Sequence, residues 1–101
     1  MNKAKNKIVR SSQYLDDSES IAAYLTDALE SEYPAFVADA LGVVARARGM
    51  SEVARKVGVS RESLYRTLSA DGNPEFATVL RVLQALDLRL SATPVQERKS
   101  A

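Results

Sequence analysis

The stretch MSEVARKVGVSRESLYRTLS, Met50–Ser69, decides how this chain folds. Its spacing predicts two short helices joined by Gly58-Val59-Ser60, and each position has a physical reason in a helix-turn-helix. Ala54 is small, so the second helix can cross closely over the first. Gly58 takes a positive φ that strains residues bearing a Cβ. Val53, Val57, Val59 and Leu64 fill the angle between the helices. Ser51 can cap the first helix and Ser60 the second, because a serine oxygen accepts from the unpaired amides of a first turn. A bare Ala-x-x-x-Gly recurs by chance; its conjunction with these plugs and caps is what gives the pattern specificity.

Outward from this segment the chain reads as helices. From Ser18, the residues Ile21, Tyr24, Leu25, Ala28 and Leu29 line one face, with Asp17 or Ser18 as cap. Tyr33-Pro34 breaks that run, and Pro34 suits the first position of a second helix. Val37, Leu41, Val44 and Ala45 form its apolar stripe, and Gly49 closes it in the left-handed conformation. Ser60 opens the fourth helix, in which Leu64 and Leu68 face inward. Ala70-Asp71-Gly72-Asn73-Pro74 reads as a turn, with Asn73 capping and Pro74 opening a fifth helix that buries Phe76, Val79, Leu80, Leu83 and Leu86.

After Asp87 the period changes to two: Leu88, Leu90 and Ala92 alternate with Arg89, Ser91 and Thr93, a strand pattern. A lone strand leaves a row of unpaired backbone groups, and pairing with a second copy across a two-fold axis resolves it. The alternative is a tail that packs Leu88 and Leu90 on the helices without a sheet. The expected architecture is therefore all-α, five helices with a short C-terminal β-strand. A flexible basic arm is expected at 1–12, one domain at 13–93 and a flexible tail at 94–101.

Composition narrows the chemistry. Across 101 residues, 46% are apolar and 27% charged, a globular balance rather than a disordered one. No apolar run approaches the ~18 residues that cross a bilayer. The opening MNKAKNKIVRSS lacks the apolar centre of a signal peptide, so a cytoplasmic location is expected. Cysteine and histidine are both absent. Disulfides, thiolate chemistry and Ser-His-Asp or Cys-His catalysis are thereby excluded, and a tight structural zinc site is argued against. Asp16-Asp17 is better explained by helix capping than by acid–base work. Neither enzyme, metal nor cofactor is expected.

The net charge of +1 hides a strong segregation. Residues 1–10 carry Lys3, Lys5, Lys7 and Arg10 with no acid. Residues 11–45 carry Asp16, Asp17, Glu19, Asp27, Glu30, Glu32 and Asp39 with no base. Residues 46–69 set Arg46, Arg48, Arg55, Lys56, Arg61 and Arg66 against Glu52 and Glu62, so the predicted helix pair lies in a basic segment. Two surfaces with oppositely charged partners fit this pattern, as do ordinary solvated faces.

On the second helix of the pair, Ser60, Arg61, Glu62, Tyr65 and Arg66 are the candidates for reading double-stranded DNA. Arg61 and Arg66 suit guanine, Glu62 can accept from cytosine N4, and Tyr65 suits a phosphate or a thymine methyl. Ser51, Lys56, Ser69 and Asn73 lie where flanking phosphates are expected, while Arg46 and Arg48 add long-range attraction. A purely structural helix pair with solvated arginines is the plainer alternative.

The stretches YLDDSESIAAYLTDALE and VARARGMSEVARKVGVSRESLYRTLSADGNPEFATVLRVLQALDLRLSA resemble the addiction-module antidote (HigA-type antitoxin) family, over roughly residues 14 to 93. ARARGM, SRESLYR, DGNP and LRLSA carry the resemblance together. It implies a lambda-repressor-like helix-turn-helix, often described as a DNA-binding prophage protein, whose recognition surface falls on Ser60, Arg61, Glu62, Tyr65 and Arg66. It also implies a RelE/HigB-like toxin as partner, a basic RNA-cleaving protein, and repression of the shared operon. The chain departs from the pattern at Thr67, where an apolar residue is usual, and at Asp87, where glycine is expected. A stand-alone prophage-type repressor and a helical protein-interaction module are the other readings.

Overall fold

Asp17 starts the first helix in the computed structural model, which describes residues 17–95. Its backbone is extended, and its carboxylate accepts from the Glu19 and Ser20 amides at 2.9 and 3.2 Å. The helix α1, Ser18–Ser31, buries Ile21, Leu25 and Ala28. Pro34 opens α2, Pro34–Arg48, where a missing N–H is harmless. Then follow α3, Met50–Val57, α4, Arg61–Thr67, and α5, Phe76–Ala85. All regular structure among the described residues is helical, in five helices. The basic arm expected at 1–12, and positions 96–101 of the tail, lie outside the described residues.

The helices enclose one core, with α1 on α2, α2 on α3, and α3 on both α4 and α5. Ile21, Leu41, Leu64, Leu68, Val82 and Leu86 are almost wholly removed from water, and each contributes about 1.5–3 kcal/mol by burial. Gly58 ends α3 at φ 91°, ψ 30°, and the Ala54 carbonyl accepts from both Gly58 and Val59 at 2.8 and 3.1 Å. That geometry turns the chain sharply enough for α4 to begin after Ser60.

Several local expectations are corrected. Ser51 does not cap α3: the helix starts one residue earlier, at Met50, with Gly49 (φ 120°, ψ 101°) in the flanking position. That angle pair is also not the left-handed conformation expected at Gly49. Asn73 does not cap α5, since a cap needs extended backbone and Asn73 sits at φ 52°. A tight turn, with Gly72 donating to the Ser69 carbonyl at 2.9 Å, uses that segment, and α5 begins only after Glu75. Phe76 and Leu80 are 65% and 37% exposed, because the buried face runs through Val79, Val82, Leu83 and Leu86.

Nor is a strand formed over 88–92, where residues 88–95 carry no regular structure. A strand exists only against a ladder partner, and among the described residues there is none. The Leu88 amide instead donates to Leu83 at 2.8 Å and the Asp87 amide to Gln84 at 3.0 Å. With Asp87 at φ 64°, this is a Schellman ending of α5, which turns Leu88 back onto the core.

Candidate functional site

Helix α4 is seven residues long, and its two sides differ sharply. Leu64 and, just past the end, Leu68 are buried, whereas Ser60, Arg61, Glu62, Tyr65 and Arg66 are exposed. Burial of Leu68 with Thr67 only half-buried fixes the rotation of α4, although Thr67 stands where an apolar residue is usual. The Ser60 hydroxyl oxygen accepts from the Ser63 amide at 3.0 Å and satisfies one donor of the first turn.

Tyr65 is the centre of the exposed side. The Arg61 guanidinium lies 5.3 Å from its ring centroid and that of Arg46, reaching from α2, lies 5.8 Å away. Each such contact at an exposed ring is worth about 0.5–1 kcal/mol, enough to bias side-chain positions. A shallow cleft of about 610 Å³ opens beside them, lined by Arg46, Arg48, Ser51, Glu52, Arg55, Arg61 and Tyr65. Glu52 is engaged within its own helix, 3.3 Å from Arg55 and 3.6 Å from Lys56. These pairs are solvent-exposed, so each is worth at most about 1 kcal/mol and yields readily to a stronger anion.

The expected site residues fall into groups. Ser51, Arg61 and Tyr65 share the arginine cleft. Arg66 and Ser69 line a second hollow of about 410 Å³, where the Ser69 hydroxyl donates to the Arg66 carbonyl at 2.9 Å. Ser60, Glu62, Lys56 and Asn73 are exposed and line neither. Sequence reasoning missed Arg55 and gave Arg46 only a distant role. Arg55 was within reach, being four residues after Ser51 on the same helix. The approach of Arg46 to Tyr65 joins two helices, and no local pattern announces it.

Away from α4 in sequence, Glu19, Asp27, Glu30 and Glu32 are exposed along and just beyond α1. A groove of about 840 Å³ separates the end of that helix from the C-terminal segment, lined among others by Leu29, Glu30, Glu32, Leu90 and Val95. Leu88 and Leu90 are half-buried against the core, and Ala92 is exposed. Among the described residues, no helix is long and apolar enough to cross a membrane, and no three or more acidic side chains gather to hold a metal ion.

Among the described residues, fold and site together define a five-helix unit with an arginine-lined cleft beside α4 and exposed acids along α1. The chain belongs to the family of probable addiction module antidote proteins, which it matches over residues 5–94. It is also 47% identical over 77 residues to an uncharacterized protein of Haemophilus influenzae, a match covering 76% of this chain and 79% of that one. No solved structure matches the chain. Membership in an antidote family points to a regulatory protein rather than an enzyme.

Proposed function

We propose that this chain is the antitoxin of a type II toxin–antitoxin module, a HigA-type protein with a lambda-repressor-like helix-turn-helix in α3 and α4. It binds operator DNA as a homodimer, neutralises a RelE/HigB-like toxin and represses its own operon. The observation that carries the DNA reading is the two-sidedness of α4. Arg61, Glu62, Tyr65 and Arg66 are exposed together while Leu64 and Leu68 anchor the helix to the core. Arginines from α2 and α3 line a cleft with Arg61 and Tyr65 of that exposed side, which suits a helix entering a major groove beside a phosphate backbone.

In this reading Arg61, Glu62, Tyr65 and Arg66 contact base edges, with Ser60 at the groove-facing end of α4. Ser51, Lys56, Ser69 and Asn73 contact flanking phosphates and set the register. The DNA-binding unit spans 13–93, flanked by the arm at 1–12 and the tail at 94–101. Two copies pair through the backbone of 88–92, at Leu88, Leu90 and Ala92, and place their α4 helices in successive major grooves about 34 Å apart. An inverted repeat overlapping the promoter is then occluded. The acidic face along α1 is repelled by phosphates and is left for the basic toxin. Family membership supports the antidote role, and charge segregation supports two faces for two partners.

A titration of the purified protein against its own upstream DNA and scrambled DNA, at two salt concentrations, tests the first half. Tight, salt-sensitive binding that prefers the upstream fragment is expected; equal weak binding to both overturns it. Co-purification with the product of the adjacent reading frame tests the second half. Failure there leaves a repressor that acts alone.

A further inference from the structure

We infer that the cleft between the α2–α3 joint and α4 is an oxyanion site that takes one backbone phosphate of the bound DNA, with Arg46 as its main donor and the Nε–H of Arg61, left over when its two Nη groups face a base edge, as its second. The inference rests on the DNA reading of α4 and adds to it a contact from α2, a helix outside the recognition pair.

Four guanidiniums line the cleft, those of Arg46, Arg48, Arg55 and Arg61. The acid among them, Glu52, already holds Arg55 and Lys56. Among the described residues no carboxylate pairs with Arg46, Arg48 or Arg61. Arg46 and Arg61 nonetheless converge on a single ring, 5.8 and 5.3 Å from the Tyr65 centroid. Two cations that line one cleft, with no carboxylate among the described residues to pair them, raise each other's energy, and an anion entering that cleft relieves it.

The convergence is supported from below by Gly42, one turn before Arg46 on α2. A Cβ there would stand 3.3 Å from Arg46 Nη1, so the bare glycine leaves the guanidinium room over its own helix. Guanidinium presents a planar fork of donors that matches phosphate oxygens, and stacking on Tyr65 holds that fork in place before the ligand arrives. The cleft is shallow and open, so a phosphodiester within a continuous strand can reach it.

The test is the slope of log affinity against log salt, for the full-length protein on its own upstream DNA. Arg46→Met keeps the aliphatic stem and removes the charge. Its slope is expected to be less steep by about 0.9, the value of one neutralised phosphate. The loss should be equal on upstream and scrambled DNA, because a phosphate carries no sequence. Arg46→Lys should keep the wild-type slope. An unchanged slope in Arg46→Met, or a loss confined to upstream DNA, overturns the proposal and reduces Arg46 to a support for Tyr65. Circular dichroism checks that each variant is folded.

A second arm uses inorganic phosphate without DNA, read by NMR at the arginine Nε–Hε groups. Arg46 and Arg61 should shift together in wild type, and Arg61 should shift less in Arg46→Met. If phosphate moves both signals while the protein binds no DNA, the oxyanion site stands and the DNA reading falls. If DNA binds, phosphate moves neither signal and the slope is unchanged, the oxyanion site falls alone.

Discussion

Gly42 on α2 lies against the main chain of Leu68, the residue that ends α4. A Cβ at Gly42 would overlap the Leu68 carbonyl oxygen and stand 3.3 Å from its carbonyl carbon. Leu68 is wholly buried, so its backbone cannot retreat without disturbing the core. Helix propensity alone favours alanine over glycine by about 1 kcal/mol. The steric overlap should win, and Gly42→Ala should destabilise the protein by about 1–3 kcal/mol, as overpacking does. Urea denaturation decides the matter, and a midpoint at or above wild type would show that the two helices separate freely.

Asp87 offers the opposite case. It holds φ 64° in the Schellman ending of α5, a conformation that costs a residue with a Cβ about 1–2 kcal/mol. Asp87→Gly removes that strain but loosens the unfolded chain, a smaller opposing effect of about 0.4–1 kcal/mol. A net gain of about 0.5–1 kcal/mol is expected, while Asp87→Val should lose stability because a β-branched side chain is strained further. The order Gly, Asp, Val in thermal midpoints is the check; Val equal to Asp would refute it.

These two positions show what was legible in the sequence and what was not. Helix starts at Asp17, Pro34 and Ser60 were readable because a cap acts on its own first turn. The rotation of α4 was readable to within a residue from Leu64 and Leu68. By contrast, Gly42 was silent, since its partner Leu68 is brought to it only by the crossing of two helices. Arg46 beside Tyr65 escaped for the same reason. The buried stripe of α5 was drawn too broadly: Phe76 and Leu80 fit a helical period, but only contact with the rest of the core selects Val82 instead. Asn73 and Ser51 carry the right chemistry for capping, and backbone angles set elsewhere denied them the role.

Ser60 has two separable duties in the proposed mechanism. As the cap of α4 it accepts from Ser63, so Ser60→Ala should cost about 1 kcal/mol of stability. Ser60→Asp keeps an accepting oxygen and should fold as stably as wild type. It sets a carboxylate beside the DNA, however, and operator affinity should fall. Denaturation and DNA titration of the same two variants give both answers. An aspartate variant that binds DNA as tightly as wild type would put the end of α4 away from the backbone.

Arg61 and Arg66 lie in different hollows of the surface, one beside Tyr65 and the other beside Ser69. If both read bases, each alanine substitution should cost about 1–3 kcal/mol of operator binding and relax preference at a different base pair. Lys56→Ala should instead weaken binding to every sequence alike, since in the proposed complex it faces a phosphate. Competition binding against a panel of single-base-pair operator variants separates these patterns. Arginine variants that keep wild-type affinity and preference would displace the reading surface from α4.

A second copy should pair with this chain at residues 91–92. Residues 88–95 leave α5 with Leu88 and Leu90 half-buried on the core and Ser91 and Ala92 exposed, so the backbone at 91–92 is accessible without unpacking the domain. In a strand pair, neighbouring residues direct their N–H groups to opposite edges. Of Ser91→Pro and Ala92→Pro, one must therefore remove a donor facing the partner, and the other serves as its control. The damaging substitution should shift the protein from dimer to monomer in analytical ultracentrifugation while leaving its circular dichroism unchanged. Half-site DNA should then bind nearly as before, and the full inverted repeat should lose its advantage. Two proline variants that both sediment as dimers would move the interface away from this segment, and the exposed Phe76 and Leu80 on α5 would be the next surface to substitute.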